Sequence, residues 1–164
     1  MTPFSAFIRV VLIIGLFNSC ARISRVLKFK PDHKNIHPHL KPIVEEVKKL
    51  SKGCLGYAKY IGFFKKVPNH PKNNKTVIGM ASWVLPFFEP QVSINSKYWY
   101  GANKIQKVLL MAHELYHAER PYIGHINSID DWGCATHFMY PSAQSKWCDS
   151  VNYEKYIKQM QDCR

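Results

Sequence analysis

Apolar positions recur at helical spacing between Asn103 and Glu119. Ile105, Val108, Leu109, Ala112 and Tyr116 stand at i, i+3, i+4, i+7 and i+11, which gathers them on one side of an α-helix. Pro121 is placed to end that helix. Upstream, "LKPIVEEVKKLSKG", residues 40–53, reads as a shorter helix: Pro42 suits its first turn, Ile43, Val47 and Leu50 share a face, and Gly53 closes it. "TVIGMASW" (76–83) and "QVSIN" (91–95) read as strands separated by the proline-bounded loop "VLPFFEP". "YIGFFKKV" (60–67) fits either a strand or a helix, and "PNHPKNNK" (68–75) a turn or exposed loop. Residues 122–149 are weakly periodic, and a last helix is expected over Ser150 to Asp162 with Asp149 as its N-cap. No internal repeat is visible. The expected fold is α+β: a mixed sheet, a central helix and a C-terminal helix.

Composition adds scale and charge to this pattern. The 164 residues, 46% hydrophobic and 21% charged, suit one folded domain with one core. A formal charge of +12 favours contact with anionic surfaces such as lipid headgroups, lipopolysaccharide or acidic cell-wall polymers. The lysines are spread along the chain and form no nucleic-acid motif, so no nucleic-acid partner is expected.

The first twenty residues, "MTPFSAFIRVVLIIGLFNSC", carry Arg9, an apolar run from Val10 to Phe17, and then small or polar residues. That run is too short for a permanent membrane span and reads as a signal peptide. "LFNSC" resembles a bacterial lipobox, which would make Cys20 a lipidated N-terminus and a membrane anchor. A cut after Ala21, where Ser19 and Ala21 meet a small-x-small rule, is the competing processing site. Residues 21–39 then form a basic tether that includes His33, His37 and His39, and residues 40–164 a single domain. The expected location is outside the cytoplasm, as a lipoprotein of the periplasm or outer membrane or, with the other cut, as a secreted protein. Export leaves Cys54, Cys134, Cys148 and Cys163 for two disulfides, with three possible pairings. The preferred pairing is Cys134 with Cys148 and Cys54 with Cys163. A rival reading takes "CATH", Cys134 to His137, as a metal-ligand pair.

"VLLMAHELYHAE", residues 108–119, carries the chemistry. His113 and His117 are four apart, so their imidazoles lie one above the other and can reach a single ion. Glu114 is rotated by one position and stands beside that ion rather than on it. Zinc bound there would lower the pKa of a water to about 7, with Glu114 as its general base. A catalytic zinc takes three protein ligands, and the candidates for the third are His125, Asp130, Asp131 and His137. Glu119 faces elsewhere, and Glu154 belongs to the last helix.

"PQVSINSKYWYGANKIQKVLLMAHELYHAERPYIGH" resembles a group of bacterial metallopeptidase-like lipoproteins related to the metzincins, and "HFMYPS" is similar to a matrixin-type Met-turn. The resemblance covers roughly residues 76 to 157. It implies a small metzincin-like zinc peptidase domain, with His113, His117 and His125 as zinc ligands, Glu114 as base and Met139 as the floor of the site. It further implies an edge strand, "TVIGMAS", along which an extended peptide pairs, with room left by Gly79 and Ala81. Tyr140 is either a structural residue or an oxyanion stabiliser. The chain departs from the H-E-x-x-H-x-x-G-x-x-H string: Arg120 stands at the glycine, His125 falls two residues late, and Tyr116 replaces a common glycine. The expected activity is therefore zinc-dependent hydrolysis of peptide bonds in a peptide or protein substrate. The alternatives are a non-catalytic envelope lipoprotein with a structural or vestigial zinc, and an anion-binding surface protein.

Overall fold

The computed structural model describes residues 35–68, 76–84, 89–120 and 124–162. The expected signal segment with Cys20, most of the expected tether, the loop 69–75, Pro121 and Cys163 lie outside the described residues. The elements are α1 (Lys41–Leu50), β1 (Tyr60–Phe63), β2 (Gly79–Val84), β3 (Glu89–Ile94), α2 (Ser96–Gly101), α3 (Lys104–Glu119), α4 (Lys146–Val151) and α5 (Tyr153–Met160). This is a small α+β architecture around a three-stranded mixed sheet. No helix among the described residues is long and apolar enough to cross a membrane.

The sheet order is β1-β3-β2, with β1 parallel and β2 antiparallel to β3. Central β3 is buried from Gln91 through Ile94, and its Val92 and Ile94 enter the core. "YIGFFKKV" resolves as a strand over its first four residues. Residues 35–39, at the end of the expected tether, lie against this sheet. Ile36 bridges Ile61, the His37 N–H donates to the Ile61 carbonyl at 2.7 Å, and the His37 ring meets Phe63 edge-on.

Helix α1 buries Leu40, Val44 and Val47, while Ile43 and Leu50 are only half-buried. The apolar face is thus rotated by about one residue from the expected Ile43–Val47–Leu50 stripe. Beyond its end the chain turns through Lys52 (φ 52°) and Gly53 (φ 80°). The Gly53 N–H reaches the Lys48 carbonyl at 2.8 Å and the Lys52 N–H the Lys49 carbonyl at 3.1 Å, the paired bonds of a Schellman stop.

Helix α2 was not expected. Asn95 creates it by accepting from the N–H groups of Lys97 and Tyr98, which satisfies first-turn donors that would otherwise be orphaned. Helix α3 follows at once, capped by a reciprocal pair: the Asn103 side chain accepts from the Gln106 N–H at 2.9 Å, and Gln106 accepts from the Asn103 N–H at 3.3 Å. It crosses β2 and β3 and packs against α1, α4 and α5. Its buried set, Val108 to Ala112 and Glu114 to Tyr116, runs nearly all round, as befits a central helix. The C-terminal part departs from expectation. Asp149 does not cap the last helix; it lies within α4, which Ser145 caps by accepting from the Cys148 N–H. The chain breaks at Asn152 before α5. A serine three residues before a free N–H met the capping need first.

Glu119 ties the end of α3 to the loop before β1. Its carboxylate accepts from the N–H of Gly56 (3.1 Å), Tyr57 (2.6 Å) and Ala58 (2.8 Å). Burial pushes its carboxyl up from the ordinary value, and those three donors pull against that shift. Glu119→Ala would strip a shared acceptor from three backbone donors. We expect a loss of about 2 kcal/mol in urea unfolding, on the scale of hydrogen bonds to charged groups, with Glu119→Gln losing less.

Candidate metal site and its cleft

Three elements build the site. Helix α3 presents His113, Glu114 and His117; the segment after it brings His125; and the turn His137–Tyr140 closes from below, its Tyr140 N–H bonded to the His137 carbonyl at 3.1 Å. One nitrogen from each of His113, His117 and His125 lies within 4.8 Å of the others, and the group can hold a metal ion. The ring centroids form a near-equilateral triangle, with sides of 4.8 Å (His113–His117), 4.7 Å (His117–His125) and 5.2 Å (His113–His125).

The protonation pattern follows from the partners. His113 Nδ1 lies 3.1 Å from the Phe138 carbonyl oxygen. A carbonyl can only accept, so Nδ1 carries the hydrogen and Nε2 of the neutral ring carries the lone pair. That Nε2 faces His125 Nε2 at 3.3 Å. The separation matches the edge, about 3.3 Å, of a tetrahedron whose metal–nitrogen bonds are about 2.0–2.1 Å. Burial draws His113 down to about 3 and also lowers His125, so both rings are neutral at pH 7. Neutral imidazoles, one oriented by a backbone carbonyl, are the donors that a transition metal requires.

Glu114 is 5% exposed and burial pushes its carboxyl up to about 8, against a hydrogen bond from the Ala81 N–H. The carboxylate lies directly over Gly79. A methyl group built there would approach Glu114 Oε1 to 2.5 Å and its Cγ to 2.7 Å. The space expected to receive a peptide backbone at Gly79 is therefore filled by Glu114, and the Ala81 N–H is engaged by the same carboxylate.

The other proposed third ligands do not join this group. Asp130 Oδ1 accepts from the N–H groups of Trp132 and Cys134 at 3.0 and 2.9 Å, which shapes the loop. Asp131 is exposed. His137 lines the cleft, but its Nδ1 accepts from the Met139 N–H at 3.0 Å. Cys134 is bonded to Cys148 across 14 positions, which removes it from metal binding. That disulfide joins the strand-like segment at Ala135 to α4 and clasps the turn. Cys54 is also disulfide-bonded; its expected partner Cys163 lies outside the described residues, and its sulfur is 3.5 Å from the Gln161 carbonyl oxygen.

Met139 is fully buried in the core, and its turn does more than fill space. The Phe138 carbonyl orients His113, and the Met139 carbonyl accepts from the Ile126 N–H at 3.1 Å. Successive carbonyls of one turn thus hold two of the three histidines in place. Tyr140 is half-buried on the cleft wall.

A cleft of about 780 Å³ opens beside the histidines. One wall is residues 76–81, the other the stretch from Ala135 to Gln144, and the floor is α3 from Gln106 to His117. Asp149 and Tyr156 lie at its far end. Neither was singled out from the sequence as part of a site, and no motif could have marked them, since they reach the cleft only through the packing of α4 and α5.

Gly79→Ala should push the strand from Glu114 and cost about 1–3 kcal/mol, the usual penalty of overpacking. In a Glu114→Ala background the same change should cost little. Chemical unfolding of the four proteins in this double-mutant cycle checks the coupling. The chain matches no family model, no curated protein and no solved structure.

Proposed function

We propose that the protein is an exported zinc metallopeptidase of metzincin-like type, tethered to a bacterial membrane through Cys20 and acting on peptide bonds in the cell envelope. The observation that carries this reading is the convergence of three imidazoles beside a buried glutamate on the floor of an open cleft. Nitrogen donors in threes suit zinc with a fourth position left for water. When bound, zinc supplies a Lewis acid that polarises the scissile carbonyl and acidifies a water.

The remaining steps belong to the chain. Beside a bound cation the Glu114 carboxyl, which burial alone holds up at about 8, would ionise; held by the Ala81 N–H and shielded by β2, it would then take the proton of the attacking water and pass it to the departing amine. His113 keeps its orientation through Phe138, and the His125 segment through Met139. The open edge of β2 supports an extended substrate. The Ile78 carbonyl faces β3, where it accepts from the Asn95 N–H at 2.8 Å. Strand alternation then turns the backbone groups of Gly79 and Ala81 outward, and the Ala81 N–H on Glu114 fits that alternation. With Glu114 over Gly79 and on the Ala81 N–H, the Ala81 carbonyl is the group on this edge that would pair with a peptide laid along the cleft. The net charge of +12 favours the anionic polymers of the envelope as surroundings.

The test is metal content followed by hydrolysis. The purified chain should hold about one zinc per molecule after reconstitution, and His113→Ala, His117→Ala and His125→Ala should each lose it. Glu114→Gln should keep the zinc and lose at least about 100-fold in kcat on a cleaved peptide, the lower range for general acid–base catalysis. Zinc retained with no hydrolysis of any peptide would leave a structural zinc site in its place.

A further inference from the structure

From His113 the floor of the cleft runs along α3 through Leu110 and Leu109 to Gln106. Seven residues at 1.5 Å rise make that distance about 10 Å. At the end lies Asp149, 6% exposed and lining the cleft. The groups that face it are Tyr98 from α2, Gln106 from α3 and Tyr156 from α5. All three are uncharged at neutral pH. The Gln106 amide donates to the Asp149 carboxylate, and no lysine or arginine among the described residues pairs with it. The Tyr156 hydroxyl is turned to the Ala135 carbonyl at 2.6 Å. Gln106 is itself fixed by the cap of α3, because its oxygen holds the Asn103 N–H. The carboxylate is thus positioned, nearly buried and, among the described residues, without a counter-ion.

We infer that Asp149 forms a cation subsite, which receives the ammonium or guanidinium of a lysine or arginine side chain entering the cleft beside the metal site. A carboxylate taken from water without a charged partner is an unfavourable arrangement that a cation corrects. Burial pushes its carboxyl up to about 6, in keeping with the missing counter-ion. The reach also fits. An extended lysine stem spans about 6 Å over five single bonds, and with an ammonium–carboxylate contact of about 3 Å it covers most of the roughly 10 Å from the histidines to Asp149. Leu109, Leu110 and Phe138 give the stem an apolar passage. A neutral side chain of equal length would leave the carboxylate unpaired, the kind of mismatch by which polar pockets reject substrates.

As a substrate preference this rests on the peptidase reading; as a binding site it does not. The first experiment therefore uses the metal-free full chain, with n-butylguanidinium as probe and n-pentanol as its neutral counterpart, followed by NMR at the Gln106 side-chain amide. Saturable binding of the cation at pH 7.5 is expected, about tenfold weaker at pH 5, since the carboxyl gains its proton near 6. The Asp149→Asn variant should lose it. Equal response to n-pentanol, no change between the two pH values, or undiminished binding by Asp149→Asn would overturn the subsite. The pH comparison uses the unaltered chain, so it decides even where the variant misfolds. The second experiment compares zinc-loaded cleavage of two peptides that differ only by lysine or norleucine beside the scissile bond. A preference for lysine of at least about tenfold in kcat/KM, reduced in Asp149→Asn, supports the assignment; equal cleavage of both rejects it while the peptidase stands. Cleavage of neither peptide counts against the peptidase reading, and the cation titration then decides the subsite by itself.

Discussion

The turn His137–Tyr140 is the constraint on which the site depends. A helix can bring two imidazoles together from positions four apart, but it has no means of holding a third from a segment beyond its end. Here two adjacent carbonyls do that work. Phe138 holds the His113 ring in one tautomer, and Met139 holds the chain next to His125. Both carbonyls are anchored because Met139 is fully buried and because the Cys134–Cys148 bridge restrains the chain leading into the turn. Loosening the turn would therefore disturb ring orientation and loop position together.

Glu114 shows the cost of putting a carboxyl group on a buried helix face. Burial pushes its carboxyl up, and the Ala81 N–H offsets part of that. The close approach of β2 is possible because position 79 has no side chain. Strand and helix are locked in register by this contact: the glycine admits the carboxylate, and the carboxylate occupies an edge N–H. The open side of β2 that remains lies along the cleft, which joins the sheet to the chemistry.

Charge is distributed unevenly between the surface and the cleft. The chain carries +12 overall, yet the acidic groups that line the cleft are Glu114 and Asp149. Gln106, which holds Asp149, stands about two helical turns from Glu114 along α3.

The sequence by itself determined what depends on neighbours along the chain. The central helix was legible from its 3.6-residue periodicity, and His113, Glu114 and His117 from spacing within it, because a helix turns local order into fixed geometry. The strand at 91–94 and the stop after α1 were legible for the same reason. His125 was one of four candidates by residue type and only a resemblance singled it out, since its place depends on the path of a loop. Tertiary structure alone decided the rest. The order β1-β3-β2 requires pairing between distant segments. Helix α2 formed because Asn95 found donors ahead of it, although the stretch is too short to show periodicity. Asp149 looked like a cap by its position, but Ser145 capped the helix, and the packing of α4 carried the carboxylate into the cleft. The carbonyls of Phe138 and Met139 have no signature in any sequence, because every residue has a carbonyl and only the fold determines where it points.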